Sequence, residues 1–163
     1  MSMKYPIGIQ SFDQIREEGY VYVDKTALVY DLVTNGTIYF LCRPRRFGKS
    51  LLLSTLENYF LGKKELFKGL AIDSLEKEWK EHPVFHIDFN GNNFTSPFEL
   101  KEAIETFISM QEAKYGKNPL ATTYGDRISY VFEKAHEQTG QRVVVLIDEY
   151  DKPLLDVMNL DHY

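Results

Sequence analysis

Residues 37–60 impose the tightest constraint on the fold. An uncharged run of β-branched and aromatic residues, 37–42, passes through Arg43-Pro44-Arg45-Arg46-Phe47-Gly48-Lys49-Ser50 into a segment where Leu52, Leu53, Leu56, Tyr59 and Phe60 recur at helical spacing. The uncharged run reads as a strand buried on both faces, and Gly62 closes the helix. A strand, a Gly-Lys-Ser loop and a helix start in series form a phosphate-binding arrangement. Gly48 lets the backbone approach phosphate oxygens, Lys49 reaches the outer phosphates, and the Ser50 hydroxyl is a ligand for Mg²⁺. Amides of the first helical turn, through Leu51, add a partial positive charge. The candidate binding segment is therefore residues 43–51.

A second element matches the first. Val143-Val144-Val145-Leu146-Ile147-Asp148-Glu149 is an apolar strand that delivers two carboxylates at its C-terminal end, where open α/β sheets bind ligands. Asp148 suits the Mg²⁺ shell, and Glu149 suits the orientation and deprotonation of an attacking water. Between the two elements, residues 84–89 alternate as a strand. Ser96-Pro97-Phe98-Glu99 reads as a capping box opening a helix toward Gly116, and Ile128, Val131, Phe132 and Ala135 define another helix ending before Gly140. Strands alternating with helices predict an α/β domain with a largely parallel sheet.

Charge sharpens the loop reading. The 163 residues carry a net −5, yet Arg43, Arg45, Arg46 and Lys49 fall within seven residues that hold no acid, leaving −9 on the other 156. A cationic island on an acidic body suits a compact anion such as a phosphate chain better than a long polyanion. Cys42 is the single cysteine, so no intrachain disulfide can form, and a reducing cytoplasmic setting is the expectation. No apolar run approaches the roughly 20 residues of a membrane-spanning helix.

The usual phosphate-loop pattern is G-x-x-x-x-G-K-[ST], and here Arg43 stands at the first glycine position. Together, Tyr20-Val21-Tyr22-Val23-Asp24-Lys25-Thr26, Phe40-Leu41-Cys42-Arg43-Pro44-Arg45-Arg46-Phe47-Gly48-Lys49-Ser50 and Leu146-Ile147-Asp148-Glu149-Tyr150-Asp151-Lys152-Pro153 resemble the bacterial AAA-ATPase-like family. Its members pair a P-loop ATPase domain with a C-terminal nuclease-like domain of PD-(D/E)XK type, and Arg-Pro-Arg-Arg-Phe-Gly-Lys-Ser is a family feature. The resemblance implies a P-loop NTPase-type three-layer sandwich that binds ATP and Mg²⁺. It assigns Lys49 and Ser50 to phosphate and metal, Asp148 to the Mg²⁺ carboxylate and Glu149 to the general base.

It further implies a chain resembling the N-terminal part of a larger ATPase. A sensor strand, a lid and the nuclease-like domain are expected beyond the acidic strand. The expected organisation is an N-terminal segment, 1–36, with a short strand and helix, followed by an incomplete P-loop core, 37–163, in one structural domain. Hydrolysis is expected of the full-length protein, self-association is open, and nucleic acid is a partner only through regions outside this chain. The rival reading is a nucleotide-dependent switch or interaction module without turnover; another is a DNA-associated ATPase coupled to the nuclease-like domain.

Other residues carry weaker signals. Asp88 falls at a strand end near the expected position of Asp148, which suits it to support a metal site. Tyr20, Tyr22 and Tyr39 could stack on a purine or simply pack. Asp24-Lys25-Thr26 reads as a helix start, with a nucleotide-edge role as the alternative.

Overall fold

A computed structural model describes residues 4–44, 46–91 and 94–160, the last four by their backbone alone. It is a mixed α/β structure of seven α-helices, one short 3₁₀ helix and a parallel two-stranded sheet among the described residues. The chain forms two compact units, Met1–His82 and Pro83–Tyr163. The sequence shows no Pro/Gly/Ser-rich linker at that point, and the division expected from it, between an N-terminal segment 1–36 and a core 37–163, lies elsewhere.

The first unit is built from α1 (Phe12–Glu17), α2 (Thr26–Asn35), α3 (Lys49–Phe60), a 3₁₀ turn (Lys64–Phe67) and α4 (Ala71–Leu75). Ser11 starts α1 by accepting the Gln14 amide through its hydroxyl at 3.2 Å. Phe12 and Ile15, four-fifths of a turn apart on α1, are both buried. Phe12 meets the Phe67 ring at 4.7 Å, and its amide donates to Ser54 Oγ on α3 at 2.9 Å. Arg16 ties the same helix to the 3₁₀ turn through Nε to the Leu66 carbonyl, 2.7 Å. The predicted short strand at residues 20–23 reduces to one parallel bridge between Lys4 and Tyr20.

Residues 37–42 depart from the expectation of a strand buried on both faces. They join no ladder among the described residues, and Ile38 is 92% exposed and Phe40 71%. Tyr39 folds back instead, its hydroxyl donating to the Leu32 carbonyl at 2.7 Å while its ring covers Gly36. Apolar patterning reports a surface suited to burial, but a strand also needs a neighbour to satisfy its amides and carbonyls.

In the second unit, β1 (Val84–Asp88) and β2 (Val144–Asp148) pair in parallel, in register from Val84↔Val144 to Asp88↔Asp148. Parallel strands need a long crossover, here α5 (Pro97–Tyr115) and α6 (Tyr124–Thr139); α7 (Lys152–Leu160) follows β2. Glu99 reaches back to the Ser96 amide at 3.0 Å, completing the predicted helix start with Pro97 in the first turn. Thr123 caps α6 and left-handed Gly140 ends it. Phe85, Tyr115, Val131 and Ala135 form the buried core between β1 and the two helices.

Candidate nucleotide site

α3 begins immediately at Lys49 and Ser50, because Gly48 takes the left-handed conformation (φ 76°, ψ 25°) that turns the loop into the helix. Glycine at the cap position has no side chain to accept from the first-turn amides, and no side-chain cap hydrogen bond forms there among the described residues. Lys49 Nζ donates to the Arg43 carbonyl at 3.1 Å, and Arg43 Nη1 reaches the Phe47 carbonyl at 3.5 Å. The two ends of the loop are thereby tied to each other. Arg43, Pro44, Arg46, Phe47 and Gly48 are exposed, and Lys49, Ser50 and Leu51 are half-buried; Arg45 lies outside the described residues.

Arg43 occupies the position of the usual first glycine, and a residue with a Cβ is strained in a left-handed turn. Arg43 is not left-handed; the positive φ belongs to Arg46, at 66°. The loop therefore concentrates its unusual backbone at Arg46 and Gly48, on either side of Phe47.

The acidic strand end belongs to the second unit. Asp148 is 5% exposed at the end of β2, and its Oδ1 accepts the Glu149 amide at 3.0 Å. Glu149 is itself left-handed (φ 51°), and its carbonyl accepts the Lys152 amide, which starts α7. Asp88 stands opposite Asp148 in the ladder, as its place at the strand end suggested, and its Oδ1 accepts the Asn90 amide at 2.8 Å. Each aspartate thus has one oxygen committed to the turn that follows its strand. Lys152 also pairs with Asp156, holding that carboxyl below its ordinary range, and Asp156 accepts the Phe94 amide at 3.2 Å. That link between α7 and the loop before α5 has no sequence signal.

In the first unit Ser50 offers a hydroxyl, and in the second Asp148 offers a carboxylate, each a hard oxygen donor of the type that Mg²⁺ takes. No group of three or more His, Cys, Asp or Glu side chains gathers into a self-contained metal cage among the described residues.

The three tyrosines weighed as purine partners have structural engagements. Tyr22 meets the buried Phe12 ring edge-on at 5.2 Å, Tyr20 lies beneath Lys4, and Tyr39 closes on α2. Asp24 accepts the Thr26 amide at 2.8 Å, in keeping with a helix start.

A family model described as predicted AAA-ATPase matches residues 6–163. The chain belongs to the AAA-ATPase-like family. It is 44% identical over 154 residues to an uncharacterized protein in the vnfD 5′ region of Azotobacter chroococcum mcd 1. That match takes in 94% of this chain and 30% of the relative, so the chain spans less than a third of the relative's length. No solved structure matches it. Family membership supports nucleotide use by an ATPase-like domain in general terms. No helix among the described residues is long and apolar enough to cross a membrane.

Proposed function

We propose that this AAA-ATPase-like chain binds ATP with Mg²⁺ and that the full-length protein hydrolyses it. The observation that carries the reading is the Gly48 turn, which sets Lys49 and Ser50 at the start of an uncapped α3. Membership of the AAA-ATPase-like family supports it, as does the buried Asp148 followed by Glu149. The parallel β1–β2 pair is in keeping with a P-loop three-layer sandwich, the architecture we propose for the whole protein.

Lys49 exchanges the Arg43 carbonyl for a phosphate oxygen, trading a neutral acceptor for a charged one. Residues 43–51 supply amides and cations to the phosphate chain. Ser50 and Asp148 are the residues that would hold Mg²⁺, which supplies charge neutralisation at the phosphates. Glu149 orients the attacking water and takes its proton.

Titration with a fluorescent ATP analogue tests the binding half. Lys49→Ala is expected to weaken affinity about 10–100-fold, the worth of one hydrogen bond to a charged group. Equal binding by both proteins sinks the reading. For the chemistry, phosphate release by the full-length protein is expected to vanish in Glu149→Gln. Binding with no turnover in the full-length protein would identify a nucleotide-dependent switch instead.

A further inference from the structure

The Asp148-Glu149 turn is closed from two directions by contacts within the second unit. Upstream, the Asp148 carbonyl accepts the Phe89 amide at 3.3 Å, and its Oδ1 accepts the Glu149 amide at 3.0 Å. Downstream, the Glu149 carbonyl accepts the Lys152 amide at 3.0 Å. The Glu149 carboxylate itself makes no hydrogen bond or ion pair among the described residues. Its direction is therefore set by the backbone that carries it, which is left-handed at φ 51° and needs neighbours to hold it.

Those neighbours meet at Asp156. Its Oδ2 accepts both Lys152 Nζ at 2.5 Å and the Phe94 amide at 3.2 Å. Lys152 Nζ also stands over the Phe94 ring, 5.7 Å from its centroid, and Phe94, 1% exposed, meets the Phe89 ring edge-on at 5.8 Å. The path through Phe89, Phe94, Asp156 and Lys152 thus runs from one side of the Asp148-Glu149 turn back to the other. A lysine and an aspartate four residues apart on an open helix face pair only with each other and contribute little. Here the two side chains are 20% and 28% exposed, and the pair takes in a buried ring and a backbone amide from the loop before α5.

We propose that Lys152 and Asp156 are positioning residues that fix the Glu149 turn for attack by water. This role rests on the hydrolysis reading and deepens it. Nucleotide binding belongs to residues 43–51, and Asp148 keeps its place through its pairing with Asp88 in the ladder. The lock therefore acts on the chemical step. When Lys152 is released, the contact between its amide and the Glu149 carbonyl is free to rearrange, and Glu149 loses its aim while the nucleotide stays bound. A misplacement of about 1 Å in such a group costs up to about a hundredfold in rate.

Asp156→Ala and Lys152→Met break the lock from its two sides, and Asp156→Glu keeps its charge. Each is made in the full-length protein and assayed for phosphate release and for binding of a fluorescent ATP analogue, with retained binding as the folding control. Asp156→Ala and Lys152→Met are expected to lower kcat about 10–100-fold, with KM and analogue affinity within about twofold of wild type, and Asp156→Glu to recover most of the rate. Unchanged kcat in both breaking variants, alongside turnover lost in Glu149→Gln, would overturn the positioning role and leave the hydrolysis reading standing. So would rate and affinity falling together, or an Asp156→Glu protein as slow as Asp156→Ala. A wild type that binds the analogue but releases no phosphate would overturn both.

Discussion

Asp24 shows how much a single carboxylate can hold together. Its Oδ1 accepts the Thr26 amide and hydroxyl at the start of α2, at 2.8 and 2.7 Å, while Oδ2 accepts the Ala71 amide at the start of α4, 2.7 Å away. Thr26, fully buried, accepts the Ile72 amide in turn at 3.1 Å. One Asp-x-Thr therefore satisfies orphan amides on two helices. Burial pushes the Asp24 carboxyl up, but the hydrogen bonds from Thr26 and Ala71 outweigh it and hold it below its ordinary value. A depressed carboxylate contributes stability that is present above its unfolded-state value, close to 4, and is lost as pH falls through the folded-state value. Asp24→Ala is expected to cost about 1–2 kcal/mol at pH 7 in urea unfolding, with the gap to wild type closing as pH falls below about 4. A gap independent of pH would show that the ionised carboxylate is not what stabilises the pair of helix starts. Only half of this was legible in the sequence. The Asp24 to Thr26 spacing announces a helix start because its chemistry is local, whereas nothing in the chain marks an acceptor 47 residues before Ala71.

Elements follow the same division between local and distant chemistry. The start of α5 and the end of α6 were readable because Ser96, Pro97, Glu99 and Gly140 act on their own turns, whereas the Thr123 cap that starts α6 was not. Residues 37–42 were not, since pairing depends on a neighbour that patterning does not reveal. What joins α5 to α6 was also hidden: Arg127 on α6 grips Glu112 on α5 with two hydrogen bonds of 2.8 Å and reaches Glu105 at 2.6 Å. The Glu112 side chain is 5% exposed and that of Arg127 11%, so this is an ion pair largely withdrawn from water. The Arg127 guanidinium holds both glutamates below their ordinary range, and they in turn hold it charged. Removing Arg127 leaves the buried Glu112 carboxylate with only the exposed Lys117, 3.9 Å away, whereas removing both Arg127 and Glu112 strands no carboxylate there. Arg127→Ala is expected to destabilise by about 3–5 kcal/mol, and Arg127→Ala with Glu112→Ala by less than the sum of the single variants. Additive losses in denaturant melts would show that the two side chains act separately.

At the level of the whole molecule, two features of the candidate site were legible as motifs: a cation-rich loop and an acid-tipped strand. Their residue types follow from chemistry that any phosphate and Mg²⁺ site shares. The backbone that presents them was not legible, because strain at Arg46 and Glu149 leaves no compositional trace. Binding energy at such a site must appear in the stability of the protein, since a ligand that binds only the folded chain raises its unfolding free energy by RT ln(1 + [L]/Kd). At a hundredfold excess over Kd that is about 2.7 kcal/mol, or a rise of roughly 5–10 °C in melting temperature for a chain of this size. Wild type is expected to show this rise with MgATP and a smaller one with ATP in a chelator. Lys49→Ala, binding about 10–100-fold more weakly, is expected to show both rises cut to about half or less. Asp148→Asn is expected to keep the chelator-resistant rise and lose only the Mg²⁺-dependent increment, because its carboxylate acts through the metal while Lys49 meets the phosphates directly. The same increment in Asp148→Asn and wild type would remove Asp148 from the metal site, and an undiminished rise in Lys49→Ala would place the nucleotide away from the loop.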